Sequence, residues 1–169
     1  MSEDRPPTLV PTSSMSFEKQ ILILRAYVVL TNDGTEPVHY KVVMNRTGLA
    51  RTQIAGTNAF FVSLGLLRHA SKGTYLPPPE TVQFIGEKPG NEDYSTIRTT
   101  LEKSPLFDFI RELIRIHGEV TIDDAISFLL TESGEKTRSR AERSIQWLEK
   151  CGILEVSEEG ILSLSGEIQ

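Results

Sequence analysis

With 169 residues, 38% of them apolar and 24% charged, the chain has the composition of a soluble globular protein of one or two small domains. Its net charge of −5 excludes a protein that coats nucleic acid over its whole surface, so any such contact has to be local. The apolar run at residues 21–24 stops at Arg25, far short of the roughly 20 residues of a membrane span. No apolar leader precedes it and Cys151 is the single cysteine, so a reducing, cytoplasmic location without membrane contact is expected.

In chain order, residues 1–16 hold three Pro and four Ser with no apolar periodicity, which predicts a flexible arm. Phe17, Ile21, Leu24, Tyr27 and Val28 then recur at helical spacing, up to the turn Asn32-Asp33-Gly34. Residues 38–39 allow a single β-bridge, 40–47 a second helix closed by Gly48, and about 50–64 a third with the apolar line Ile54, Asn58, Phe61, Leu64. Gly65 suits a left-handed cap there. Residues 66–70 and 74–76, joined through Ser71-Lys72-Gly73, predict a hairpin that Pro77-Pro78-Pro79 ends. Residues 80–104 read as a connector with a turn at Pro89-Gly90-Asn91 and a short helix over 95–103 carrying Ile97 and Leu101. Ser104-Pro105 opens a new helix, because Ser caps and Pro at the first helical position loses no hydrogen bond.

The second half repeats the first. Phe107, Ile110, Leu113 and Ile114 match Ile21, Leu24, Tyr27 and Val28 at one constant offset. Thr121 and Asp124 form a capping box for a second helix. Ala141, Ile145, Leu148, Cys151 and Gly152 then match Ile54, Asn58, Phe61, Leu64 and Gly65, and residues 153–164 predict a second hairpin. A unit of this size buries a small core and is marginal alone. Val82, Phe84 and Ile85, with the Ile97/Leu101 stripe, are therefore expected to dock the two units together or to form a dimer seam. Phe60 and Trp147 hold equivalent places and are each expected to pack under the neighbouring hairpin.

Residues 37–79 carry five Lys or Arg and no Asp or Glu, in a chain that is acidic overall. With helix, tight turn, helix and hairpin, this is the arrangement of a helix-turn-helix beside a basic hairpin. The segments TGLARTQIAGTNAFFVSLGLL and TRSRAERSIQWLEKCGIL, each a third helix ending in Gly-Leu-Leu or Gly-Ile-Leu before a hairpin, resemble the winged-helix superfamily. The fold this implies is mainly α with small β-hairpin wings (α+β), as tandem winged-helix domains: a flexible arm at 1–16, unit one at 17–85, a connector at 86–104 and unit two at 105–169.

Projected at 100° per residue from Ile54, the outward side of the third helix holds Thr52, Ala55, Gly56, Ala59 and Ser63, with Arg51 and Gln53 at its flanks. The resemblance implies that Arg51 and Gln53 bond base edges, that Thr52 meets a base or phosphate, and that Arg46, Arg68, His69 and Lys72 lie on phosphates. Lys41 adds a fifth cation. In the second unit Arg138, Arg140, Arg143, Gln146 and Lys150 offer a second candidate face, beside an acidic wing with Glu155, Glu158 and Glu159 that a phosphate backbone would repel. Unit one is thus expected to contact nucleic acid, as duplex DNA in a transcriptional regulator or chromatin-associated factor. Unit two is expected to serve a protein partner, self-association or support. The alternative is a protein-interaction module that docks onto a larger chromosome or transcription assembly without touching DNA.

An enzyme has no supporting constellation. His39, His69 and His117 fall in three different elements with no second ligand at metal spacing, and Cys151 lies in the apolar line of its helix, where a thiol acts as a small hydrophobe. Asp123 and Asp124 occupy a helix first turn, opposite the positive end of the dipole. No catalytic residue, metal site or cofactor is expected.

Overall fold

The computed structural model describes residues 7–165. Ser16 starts α1 (Phe17–Leu30) by accepting a hydrogen bond from the Lys19 N–H. After Thr31 the chain turns at Asn32, Asp33 and Gly34, all at positive φ. Asn and Asp are the residues besides Gly that enter this region at low cost, so the expected turn forms. β1 (Val38–His39) leads into α2 (Tyr40–Thr47), then α3 (Arg51–Leu64) and the hairpin of β2 (Arg68–Ser71) and β3 (Thr74–Leu76). β3 lies between β1 and β2, antiparallel to both.

Pro79 does not close the hairpin into a connector. It opens α4 (Pro79–Ile85), at a position where its missing N–H costs nothing. The short helix expected over 95–103 is a 3-10 turn (Tyr94–Ile97) running into α5 (Arg98–Glu102).

The second unit begins with α6 (Pro105–His117), whose Phe107 N–H donates to the Ser104 hydroxyl at 3.2 Å. β4 (Val120–Thr121) follows, then α7 (Ile122–Ser133) with its capping box. There the Asp124 N–H donates to Thr121 Oγ1 at 3.0 Å, and the Asp124 carboxylate accepts from the Thr121 N–H at 3.4 Å. α8 (Arg138–Lys150) and the hairpin of β5 (Leu154–Val156) and β6 (Ile161–Leu164) complete it, in strand order β4-β6-β5. The same element order therefore occurs twice, and the fold is mainly helical with small antiparallel hairpins. Among the described residues no helix is long and apolar enough to cross a membrane.

One continuous core runs through both units. Phe84, Ile85, Ile97 and Leu101 are fully buried in it, so the stretch after the first hairpin joins the units within the chain. Trp147 reaches across the seam, with its ring centre 4.7 Å from that of Phe17, 6.0 Å from Phe61 and 6.1 Å from Phe84. Its Nε1–H donates to Gln20 Oε1 on α1 at 2.6 Å.

Residues 7–16 are likewise not a free arm, and residues 1–6 lie outside the described residues. Leu9, Val10, Pro11 and Met15 are buried. The segment runs between α3 and α8, bending at Val10, Thr12 and Ser13. Its Thr12 N–H reaches the Gly56 carbonyl at 3.4 Å, while Ser144 Oγ donates to Leu9 O at 2.7 Å and Arg143 Nε to Met15 O at 2.9 Å. Gly56 makes room for it: a Cβ there would lie 2.6 Å from Thr12 Oγ1 and 3.0 Å from Ser13 Cβ.

A largely buried ion pair fastens the loop after α4. Arg25 donates to Glu92 Oε2 at 2.6 Å and to the Ile85, Gly86 and Lys88 carbonyls. Burial works to raise the Glu92 pKa, but the Arg25 hydrogen bond and backbone N–H groups outweigh it, and the carboxyl titrates below its ordinary value of 4.5. A pKa lower in the folded than in the unfolded state stabilises fully above the unfolded value and loses that contribution as pH falls through the folded one. Glu92→Gln is therefore expected to cost about 1.5–3 kcal/mol at pH 7. The difference from wild type should shrink progressively in urea titrations as pH is lowered below the ordinary carboxyl value, and a difference independent of pH would contradict this account.

Candidate nucleic-acid interface

The turn between α2 and α3 sets the first part of the site. Gly48, at φ 75°, closes α2 through a hydrogen bond from its N–H to Met44 O. Ala50 precedes α3, and its N–H donates to Gln53 Oε1 at 2.9 Å. Gln53 is half-buried and caps its own helix, with its amide nitrogen and one acceptor site of its oxygen left for another partner. Arg51 projects from the first turn, its guanidinium carbon 5.9 Å from the centre of the Tyr40 ring. Tyr40 stacks in turn on His39, at 4.5 Å between ring centres.

His39 then meets the tip of the hairpin. Its Nδ1 accepts from the Lys41 N–H at 3.1 Å, and Nε2 faces Gly73, where a Cβ would lie 2.6 Å away. The Tyr40 N–H also donates to Gly73 O at 3.0 Å. Gly73 has φ +77° and little space above it, which is why glycine follows Lys72 here. The start of α2, the start of α3 and the hairpin tip are thus bound to one another, bringing Lys41, Arg51 and Lys72 to one end of the unit. Arg46 extends from the last turn of α2.

Arg68 and His69 lie elsewhere. They begin β2 at the hairpin base, with His69 edge-on to Tyr75 at 5.1 Å, and line a groove against the 3-10 turn and α5. Lys41, Arg46, Arg51, Thr52, Arg68, His69 and Lys72 are all exposed. None of the five Lys and Arg has an ion-pair partner among the described residues.

The open face of α3 is rotated from its projected position. Arg51, Thr52, Ala55, Ala59 and Val62 are exposed, whereas Gly56 is buried beneath residues 12–13 and Ser63 is half-buried. Ile54, Asn58, Phe61 and Leu64 face the unit's own core as expected, and residues 12–13 cover the helix from the far side.

The second candidate face is half-covered: Arg140, Arg143 and Gln146 are half-buried, while Arg138 and Lys150 are exposed. Arg138 pairs with Asp123 and Glu142, and Arg140 with Glu135 at 2.7 Å and Ser14 Oγ at 3.0 Å. Arg143 donates to Met15 O and, at 3.4 Å, to Gln146 Oε1, while Lys150 Nζ lies over the Phe17 and Tyr94 rings at 5.3 and 5.7 Å. Arg140, Arg143 and Lys150 tie α8 to residues 14–17 across the seam, contacts with distant partners that no local sequence window signals, whereas Arg138 pairs with carboxylates of its own unit.

Cys151 is buried and its thiol is pushed up to about 12 by burial, against a small opposing effect of Arg98. Among the described residues no group of three His, Cys, Asp or Glu is placed to hold a metal ion. Comparison with protein families, curated proteins and solved structures returns no match for this chain.

Proposed function

We propose that the chain is a nucleic-acid-binding protein of two winged-helix units, and that the first unit contacts duplex DNA, as in a transcriptional regulator or chromatin-associated factor. The observation that carries this is the contrast between the halves. Five exposed cations of the acid-free stretch 37–79 are without ion-pair partners among the described residues, while most arginines of the second unit are held by its own carboxylates. Arg51 and Thr52 would read base edges from the first turn of α3, and the small side chains of Ala55 and Ala59 let a backbone approach closely. Lys41, Arg46, Arg68 and Lys72 would neutralise phosphates. The second unit supports the first through Trp147 and the segment at 7–16, and it offers a partner or a second copy its acidic hairpin.

Neutralising about five phosphates gives a logarithmic salt slope of roughly −4 to −5 on duplex DNA. Anisotropy titrations with random duplex between about 50 and 200 mM salt should show that slope. Arg51→Ala/Arg68→Ala/Lys72→Ala, with about two contacts left, should flatten it to roughly −2. Absence of binding at 50 mM salt would sink the proposal. That outcome would favour the second reading, a module docking on a larger chromosome or transcription assembly, for which the exposed strip of Ala55, Ala59 and Val62 is the supporting observation.

A further inference from the structure

Where α3 ends, an open groove of about 730 Å³ separates the hairpin base from the 3-10 turn and α5. That volume lies within the range of small-molecule sites, which also favour the junctions between structural units. Val62, exposed above the buried Leu64, Leu67 and Pro78, gives it an apolar floor, and Arg68 and Lys103 line it without ion-pair partners among the described residues. Glu80 is the one carboxylate lining it among the described residues. Ser63 lines it too, and its Oγ is buried with no hydrogen-bond partner among the described residues. A hydroxyl shut away unpaired in a native structure calls for a water, ion or ligand to explain it. A serine turns about a single bond, so presenting this donor to the groove needs no backbone movement.

We propose that this groove binds a small organic anion. The apolar body lies on Val62 and the methyl groups of Thr99 and Thr100, and the phosphate or carboxylate head takes hydrogen bonds from Arg68 and Lys103 and accepts from Ser63. Both cations supply charge-assisted hydrogen bonds, the strong kind, and the floor favours a ligand with more than a bare head. Such a ligand would tie the hairpin base to α5 and withdraw Arg68 from a phosphate backbone. It shares no other basic residue with the DNA-contact set except His69 at the groove's edge.

The test uses the full chain, labelled with ¹⁵N, titrated at constant ionic strength with phenyl phosphate. Inorganic phosphate serves as the head alone and phenol as the body alone. Saturable shifts centred on the amides of Ser63, Thr99, Thr100 and Lys103 are expected, with phenyl phosphate binding about tenfold more tightly than either fragment. Lys103→Ala should weaken it by about tenfold or more, the size of one charge-assisted hydrogen bond. Ser63→Ala should weaken it less, with the melting temperature of the free protein unchanged or raised. Shifts that never saturate, that centre on Lys41, Arg51 and Lys72, or that persist unaltered in Lys103→Ala would overturn the proposal. No nucleic acid enters the measurement, so its outcome is separate from that of the DNA titration.

Discussion

Replacing Trp147 by alanine is expected to lower the unfolding free energy by about 3–5 kcal/mol, the upper range for truncating a buried side chain. The indole is fully buried and is the largest side chain in the core. Its neighbours Phe17, Phe61 and Phe84 belong to the other unit, so the cavity would open at the seam rather than inside one unit. The loss also strands Gln20. Its Nε2 is already buried without a partner among the described residues, and Trp147 holds its Oε1. Trp147→Phe keeps most of the ring contact and removes that hydrogen bond, so it should cost roughly 1–3 kcal/mol. Urea unfolding followed by circular dichroism measures both. In Trp147→Ala the single transition should broaden or divide as the units uncouple. A loss below about 1 kcal/mol with an unchanged single transition would show that something else joins the halves.

Substituting Gly56 sets two effects of opposite sign against each other. In the interior of a helix, alanine is more favourable than glycine by about 1 kcal/mol. Against this, the new methyl would meet Ser13 Cβ at 3.0 Å and Ser13 N at 3.1 Å, and the backbone there cannot swing away as the Thr12 hydroxyl can. Gly56→Ala should therefore destabilise by about 1–2 kcal/mol net, since overpacking typically costs about 1–3. Gly56→Leu should displace the segment altogether and expose Leu9, Val10 and Met15. Full burial of such side chains contributes at most about 1.5–3 kcal/mol each. Limited proteolysis should then cut between residues 7 and 16 in Gly56→Leu and spare the wild type. Ala59→Leu, on the exposed strip of the same helix, is the control and should change neither stability nor cleavage.

Much of the framework was legible in the sequence because its signals are local. The apolar line Ile54, Asn58, Phe61, Leu64 is buried, and so are its counterparts Ala141, Ile145, Leu148 and Cys151. The Ser104 cap and the Thr121–Asp124 box form as read. What escaped is what depends on a distant partner. A segment without regular structure such as 7–16 has no period to detect, and Gly56 was its one trace, a glycine inside a helix that favours other residues. Helical spacing placed Trp147 and Arg143 on α8 but could not say that α1 and residues 9–15 would cover them. The exposed cations of the first unit were legible for the opposite reason: with no acid between residues 37 and 79, no neighbour could neutralise them. Pro79 misled because proline ends one element and begins another with equal ease.

The seating of residues 7–16 also bears on how the chain is made. Leu9 and Ser144, which share a hydrogen bond, stand 135 positions apart, and the slot between α3 and α8 does not exist until α8 has left the ribosome. At roughly 5–20 residues per second, the segment emerges about 7–27 s before its seat does. Leu9, Val10 and Met15 spend that interval without their native neighbours, open to chaperones and to contact with other nascent chains. The pairing is also among the most distant in the molecule, the kind whose loop-closure entropy slows folding. Synthesis order and docking order therefore run in opposite directions along this polypeptide.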